Sequence, residues 1–422
     1  MALQVAEGDE TPIAYGTEQQ DSVRFPESPG SPGSPELPDS SSFIDVSAPS
    51  FRFDDRRLRA ARAEGQLLDC VYGPVVCDHA TVGRLLRQPT LVHDPWRQLR
   101  CSGVTDHAIG SWFASLLIFS RAEDHDALRQ SMRPLLRGPA FDPSFAAAQA
   151  LAATAELDGE CEFVADVADS IVLAQAARLL DIDGETYREI AQPVQDLALI
   201  HRLMPLETLA QAKAAVEQVQ DFLGRLARRE GVLAAERTDW TRSRMSLLIG
   251  FEPYRLALGQ MVAVLADHPR AWSAAADDET IAESAVRELL RWMPTAPIQI
   301  RFTERPLTLA DRTLEPGRPV LLCAVQANRD AEPDGDIYRP LRVPSRPHLS
   351  FGAGLHYCIG ATASERQLAA VLCALAARFR VPELTGEVRW GPPSGVQGPV
   401  EVPVRLTRRP RASWKDGPCP SL

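Results

Sequence analysis

Lysine is almost missing from this chain. Only Lys213 and Lys415 stand among 45 basic residues, and arginine carries nearly all the positive charge. We read that bias as GC-rich, bacterial codon usage rather than as function. Positive charge is also short overall: the formal net charge of −11 makes a nucleic-acid backbone a poor partner. No apolar run reaches the roughly 18 residues that a membrane span requires, and the first 50 residues hold no signal-peptide core. The eight cysteines include no C-x-x-C pair and no zinc-like spacing. A zinc module and a disulfide scaffold are thereby excluded, and reduced thiols in a cytoplasm are expected. What is present is ordinary: 422 residues, 45% hydrophobic and 24% charged, ample for a large soluble core.

The stretch up to residue 50 is rich in Pro, Gly and Ser, as in Phe25-Pro-Glu-Ser-Pro-Gly-Ser-Pro. Such composition buries too little apolar surface to offset ordering, so residues 1–50 are expected to be a disordered leader. Residues 51–422 then read as one domain, mainly α with small β-sheets. Helix is expected over Asp54–Glu64 and His79–Leu86, and almost throughout Asp124–Asp267, where apolar residues recur at three- and four-residue spacing. Leu209–Glu230 shows the pattern with Ala212, Val216, Val219 and Leu223 on one stripe. Gln66–Cys77, with its central Tyr72-Gly73-Pro74, reads as a hairpin. A further helix spans Asp277–Trp292. Short strands follow at Ile298–Phe302, Leu307–Leu309 and Pro319–Cys323, then a meander at Asn328–Pro347. The last long helix covers Ile359–Phe379, and a β tail ends at Val402–Leu406.

The chemistry concentrates in Phe351-Gly-Ala-Gly-Leu-His-Tyr-Cys358-Ile-Gly360. A cysteine at a helix N-terminus meets backbone N–H groups and the positive dipole end, which favour its thiolate. Glycines at 352, 354 and 360 let backbone approach a flat, bulky object. A cysteine alone would usually be a small core residue. The whole ten-residue pattern, however, resembles the haem-binding loop of the cytochrome P450 family without a mismatch.

Further motifs of that family follow in its order and cover nearly everything after Phe51. His125-Asp-Ala-Leu-Arg129 resembles its H-x-x-x-R, whose side chains lie one helical turn apart. Arg301 and His348 match two further propionate partners. Glu288-Leu-Leu-Arg291 resembles the buried E-x-x-R pair. The third member of that network should be an arginine of the meander; alignment places Ile337 there, with Arg339 two residues on, and leaves the partner open.

The resemblance implies a fold with haem between an oxygen-side helix and the Cys358 loop. It implies haem b, with iron held by the Cys358 thiolate for activation of dioxygen. Its binding set would be His125, Arg129, Arg301, His348, Phe351, Gly352, Cys358 and Gly360. The protein is then a monooxygenase-type oxidoreductase.

One departure is plain. The family's oxygen-side helix reads A-G-x-(D/E)-T, whereas this chain has Gly250-Phe-Glu252-Pro253-Tyr254-Arg255. The acid is kept as Glu252 and the threonine becomes Pro253, which should also kink the helix. Glu252 is a candidate proton-relay acid; alternatively it pairs with Arg255 and holds the bent helix. Hydroxylation is the first reading. Decarboxylation, desaturation or coupling without oxygen insertion is the second, and peroxide-driven chemistry ranks below both. In a different class stands a haem-free helper of a glycosyltransferase, which would give no Soret band.

No segment resembles a flavin, iron–sulfur or nicotinamide domain, so electrons from NAD(P)H should arrive through an external ferredoxin and its reductase. Arg129, Arg133 and Arg137 recur every four residues, a stripe suited to an acidic ferredoxin or simply to solvent. By resemblance, substrate would meet segments holding Trp96, His107, Trp112, Phe251, Pro253, Tyr254, Arg255 and Gln299. That mix suits a functionalised specialised metabolite, such as an antibiotic or modified peptide.

Overall fold

Asp78, Asp142 and Asp278 each turn a side-chain oxygen onto an amide two or three residues ahead and thereby start a helix. Such caps satisfy N–H groups that have no partner inside the helix. The computed structural model describes residues 44, 56–101, 107–120, 122–197, 209–391 and 395–410. Every described element lies in one unit, Pro38–Leu422.

In chain order, the first elements are α1 (Arg56–Glu64), β1 (Leu68–Cys70), β2 (Gly73–Val76), α2 (His79–Leu85), β3 (Leu91–Val92), α3 (Pro95–Cys101) and α4 (His107–Ser115). The helical bulk follows: α5 (Ala122–Leu136), α6 (Pro143–Ala153), strand β4 (Gly159–Glu162), α7 (Asp169–Leu179), α8 (Gly184–Leu197) and α9 (Leu209–Arg229). It continues through α10 (Arg237–Ile249), α11 (Phe251–Leu265), α12 (Pro269–Ala275) and α13 (Glu279–Trp292). Then come β5 (Gln299–Thr303), β6 (Leu307–Leu309), β7 (Arg312–Leu314), β8 (Pro319–Leu322) and α14 (Ala324–Asp330). The last elements are α15 (Ala361–Arg378), β9 (Glu383–Leu384), β10 (Arg389–Trp390), β11 (Pro399–Glu401) and β12 (Pro403–Leu406).

The helices enclose the main core. Helix α15 runs through it against α6 and α13 and buries Leu368, Val371, Leu372 and Leu375 completely or nearly so. Each such side chain contributes roughly 1.5–3 kcal/mol by leaving water. The strands form a five-stranded sheet in the order β1-β2-β8-β5-β3 and a three-stranded sheet β4-β12-β9, with two further pairs, β6-β7 and β10-β11. Among the described strands only β2 and β8 run parallel.

The hairpin expected at Gln66–Cys77 is present as β1-β2, and the expected helices match within a few residues. Strands β3, β4 and β7 were not anticipated. Of the expected leader, only Ile44 is described; it is fully buried, and its N–H donates to the Asp69 carbonyl at 2.8 Å. At that residue the chain already packs on β1. The expected kink takes the form of a break: α10 ends at Ile249, Gly250 is the junction, and Pro253 lies in the first turn of α11. There its missing N–H costs little, because first-turn amides lack helical acceptors in any case.

Candidate functional site

The Cys358 loop is shaped by two left-handed glycines, Gly352 and Gly354, each at φ +71°. A Cβ on Gly354 would meet the Arg87 Cα and the Leu86 carbonyl at 3.1 Å, so a larger residue would be crowded there as well as strained. The Cys358 amide donates to the Phe351 carbonyl at 2.9 Å, closing the loop before Gly360 starts α15. Cys358 is accessible to solvent, although protein atoms crowd around it. Burial pushes its thiol up, against the pull of the Gly360 and Ala361 amides and the Arg129 charge. The expected thiolate therefore needs a further positive charge, and a bound metal ion supplies that.

Beside the loop the structure assembles a cationic, histidine-rich wall. Arg301, on β5, is only 2% exposed, and its hydrogen bonds go to neutral groups: Gln299 Oε1 at 2.9 Å, the Ile300 carbonyl at 3.0 Å and His93 Nδ1 at 3.4 Å. Burial pulls its guanidinium down to about 9. The His356 ring packs edge-on against His93 at 4.9 Å and against His125 at 5.0 Å. Burial first, then the charges of Arg301, His125 and Arg129, depress His356 to about 3. His125 Nε2 and His356 Nδ1 are buried without a hydrogen-bond partner. Arg129 ties α5 to the loop through the Tyr357 carbonyl at 2.9 Å. A buried guanidinium without an anion, next to unsatisfied imidazole nitrogens, is what a group bearing carboxylates would complete.

Sequence reasoning placed His348 in this set and gave His356 no part in it. In the structure His348 Nε2 faces Glu365 Oε1 at 3.4 Å, its ring lies 5.7 Å from Phe351, and its Nδ1 is buried without a hydrogen-bond partner. His356 and His93 pack beside Arg301. His93 carried no motif signal, since only the strand pairing of β3 with β5 brings its neighbourhood to Arg301. Gln299, expected near substrate, holds Arg301 and lies 3.7 Å from where a Gly352 Cβ would be. A groove of about 340 Å³ borders the loop elsewhere, lined by Arg87, Arg287, Arg342, His348, Tyr357 and Glu365 but not by Cys358, His125 or Arg301.

Across the helix junction, Glu252 and Arg255 form a two-bond fork, Nε to Oε2 at 2.8 Å and Nη2 to Oε1 at 3.2 Å. Arg255 also reaches Asp169 Oδ1 at 3.4 Å. Burial raises Asp169 to about 6 despite Arg255, with Glu252 and Glu162 adding to the rise. The alternative in which Glu252 pairs with Arg255 is thus the arrangement seen. Phe251 stacks on Phe141 with ring planes 5° apart, and Trp112 and Tyr254 are buried in the main core. The side chain of His107 lies outside the described residues.

The E-x-x-R pair is buried, with Arg291 donating to both Glu288 oxygens at 2.6 and 2.9 Å. Its arginine from the meander is not Arg339, and Ile337 contributes only its carbonyl, which accepts from Arg291 Nη2 at 3.4 Å. Arg342 donates through Nε to Glu288 Oε1 at 2.9 Å, and Arg339 contributes only its backbone N–H, at 3.0 Å.

The sequence model of the cytochrome P450 family matches residues 262–395, the span holding Glu288, Arg291, Arg301 and the Cys358 loop. Over 86% of its length the chain is 24% identical to luteothin monooxygenase of Streptomyces thioluteus, covering 96% of that protein. It is 30% identical to cytochrome P450 monooxygenase PikC of Streptomyces venezuelae over 49% of its length and 56% of PikC. Among solved structures, P450 OxyD, involved in biosynthesis of vancomycin-type antibiotics, superposes with a TM-score of 0.71 at 24% identity, over 87% of this chain and all of OxyD. Loop, ion-pair network and relatives agree with the fold: the chain has the cytochrome P450 fold and is similar to that family, enzymes that use haem iron and electrons passed on by redox partners.

Proposed function

We propose that this enzyme carries out oxidative tailoring of a functionalised specialised metabolite in the cytoplasm, with haem bound by Cys358 and by the Arg301–His125–His356 wall. The observation that carries the reading is Arg301: a completely buried guanidinium with only neutral partners, set beside an intact cysteine loop. Relatives named for luteothin oxidation and for vancomycin-type antibiotic biosynthesis support the substrate class. Bound haem iron supplies the activation of dioxygen. The chain's own residues hold the cofactor, exclude water and place the substrate. In this reading Arg301, Arg129, His125 and His356 receive the propionates, while Phe351, Gly352 and Gly360 shape the loop around the ligand sulfur.

Arg301→Gln should lower haem affinity about tenfold, the scale of one lost charge-assisted hydrogen bond. Haem titration of the apoprotein measures it, and unchanged affinity would remove Arg301 from the cofactor site.

Electrons are proposed to come from NAD(P)H through a separate ferredoxin and its reductase. Arg133, on α5 beyond Arg129, and Arg137, just past the end of that helix, are both exposed and support an acidic partner. Among the described residues no helix is long and apolar enough to cross a membrane.

At the helix junction we assign Arg255 the task of holding the Glu252 carboxylate, and Pro253 that of keeping a hydroxyl away from that turn. Pro253→Thr should keep haem and change the product formed per NADH consumed. Glu252→Gln should turn over more slowly and release more peroxide. Native turnover and coupling in both variants, measured with one reconstituted ferredoxin system, would take this turn out of the reaction.

A further inference from the structure

Strands β2 and β8 lie parallel, with Val75 opposite Leu321 and Val76 opposite Leu322. The ladder continues one step further, because the Cys323 N–H donates to the Val76 carbonyl at 2.9 Å. The next facing pair is therefore Cys77 and Cys323. Side chains alternate faces along each strand. Val75, Leu321, Cys77 and Cys323 accordingly pack together with Ile44 and Leu58 on one face, while Val76 and Leu322 pack on the other. Facing residues on neighbouring strands are about 4.8 Å apart, within the roughly 4.4–6.8 Å between Cα atoms that a disulfide spans. Both cysteines are free thiols, 2% and 0% exposed.

We propose that Cys77 and Cys323 are a redox-modification site, a buried dithiol that closes to a disulfide on oxidation by hydrogen peroxide. One of the two sulfurs takes one oxygen of peroxide as the O–O bond breaks, and the other oxygen leaves as water with that thiol's proton. The facing sulfur then displaces the sulfenic hydroxyl: the S–S bond forms, the S–O bond breaks and a second water departs with the second thiol proton. Two electrons pass from the sulfurs to the peroxide oxygens. The bond would fasten β2 to the start of α14, whose Asn328 carbonyl accepts from Arg291 at 3.1 Å.

The test uses the full-length, haem-loaded protein treated with hydrogen peroxide or, in parallel, with diamide, a thiol oxidant that spares haem. Protein is then unfolded, alkylated, digested and analysed by mass spectrometry. The expected result is a Cys77–Cys323 linked peptide two hydrogens lighter than the sum of its parts. Two of the eight alkylatable thiols disappear and return with dithiothreitol. The thermal midpoint should rise on oxidation, and Cys77→Ala or Cys323→Val should abolish that rise. Oxidation confined to the half-buried Cys101 and Cys161, with Cys77 and Cys323 fully alkylated, would overturn the proposal. So would linkage of either cysteine to a third. If neither variant folds, alkylation of the unaltered chain decides alone.

Discussion

Cys358→Ala should yield folded protein that has lost both the thiolate-type carbon monoxide spectrum and all turnover. The loop does not depend on the sulfur for its shape: its closure rests on the Cys358 amide to the Phe351 carbonyl and on the left-handed Gly352 and Gly354. Fold and ligation are therefore separable at this residue. No other side chain of the loop can replace the sulfur. His356 is committed to the wall formed with His93 and His125, and Tyr357 is an exposed phenol. The measurement is the reduced, carbon monoxide-bound spectrum, with far-ultraviolet circular dichroism as the control for folding. An unchanged spectrum in this variant would refute Cys358 as the iron ligand.

Glu288→Gln should destabilise the fold by about 3–5 kcal/mol, the usual cost of breaking a buried ion pair from one side. Glu288 and Arg291 are 3% and 1% exposed. The carboxylate accepts from Arg291, from Arg342 and from the Arg339 amide, so neutralising it leaves the buried Arg291 without a carboxylate, while Arg342 keeps Asp334. Arg291 is also tied to the carbonyls of Asn328 and Gly335, which joins α13 to the meander below the cysteine loop. Arg291→Lys should fall close behind, because an ammonium cannot serve both carboxylate oxygens and two carbonyls in one plane. Urea unfolding followed by circular dichroism checks both. A loss under about 1 kcal/mol, the range of exposed pairs, would show that the network is dispensable.

Much of the fold was legible because helices write a period into the sequence. The stripe of α9 and the acidic start of α13 gave their positions directly. Strand β4 gave no such sign: Gly-Glu-Cys-Glu has no apolar alternation, and it is a strand only because β12 pairs with it. The meander is equally silent, since Arg342 meets Glu288 across 54 residues that no local pattern spans. At the site, the ten-residue loop was fully legible, as was the helix interruption next to Pro253. Whether His348 or His356 faces Arg301 was not. That choice depends on how the loop turns at Gly352 and Gly354, and on Glu365 of α15 drawing His348 away. The Glu252–Arg255 fork was foreseeable from their three-residue spacing. The arrival of Asp169 from α7 was not.

Strand β12, the last of the described elements, is the middle member of the three-stranded sheet. Just before it, the Val402 amide meets Glu162 across 240 residues of chain, and that carboxylate also holds the Val164 and Ala165 amides ahead of α7. On the ribosome, then, the helical bulk emerges with β4 unpaired and its edge open, and the seam closes only after nearly the whole domain has been made. Closing so long a loop makes this step slow, and the waiting edge invites wrong partners until it is done. A nascent chain arrested before Pro403 would thus carry its fault near residue 160, in the middle of the molecule.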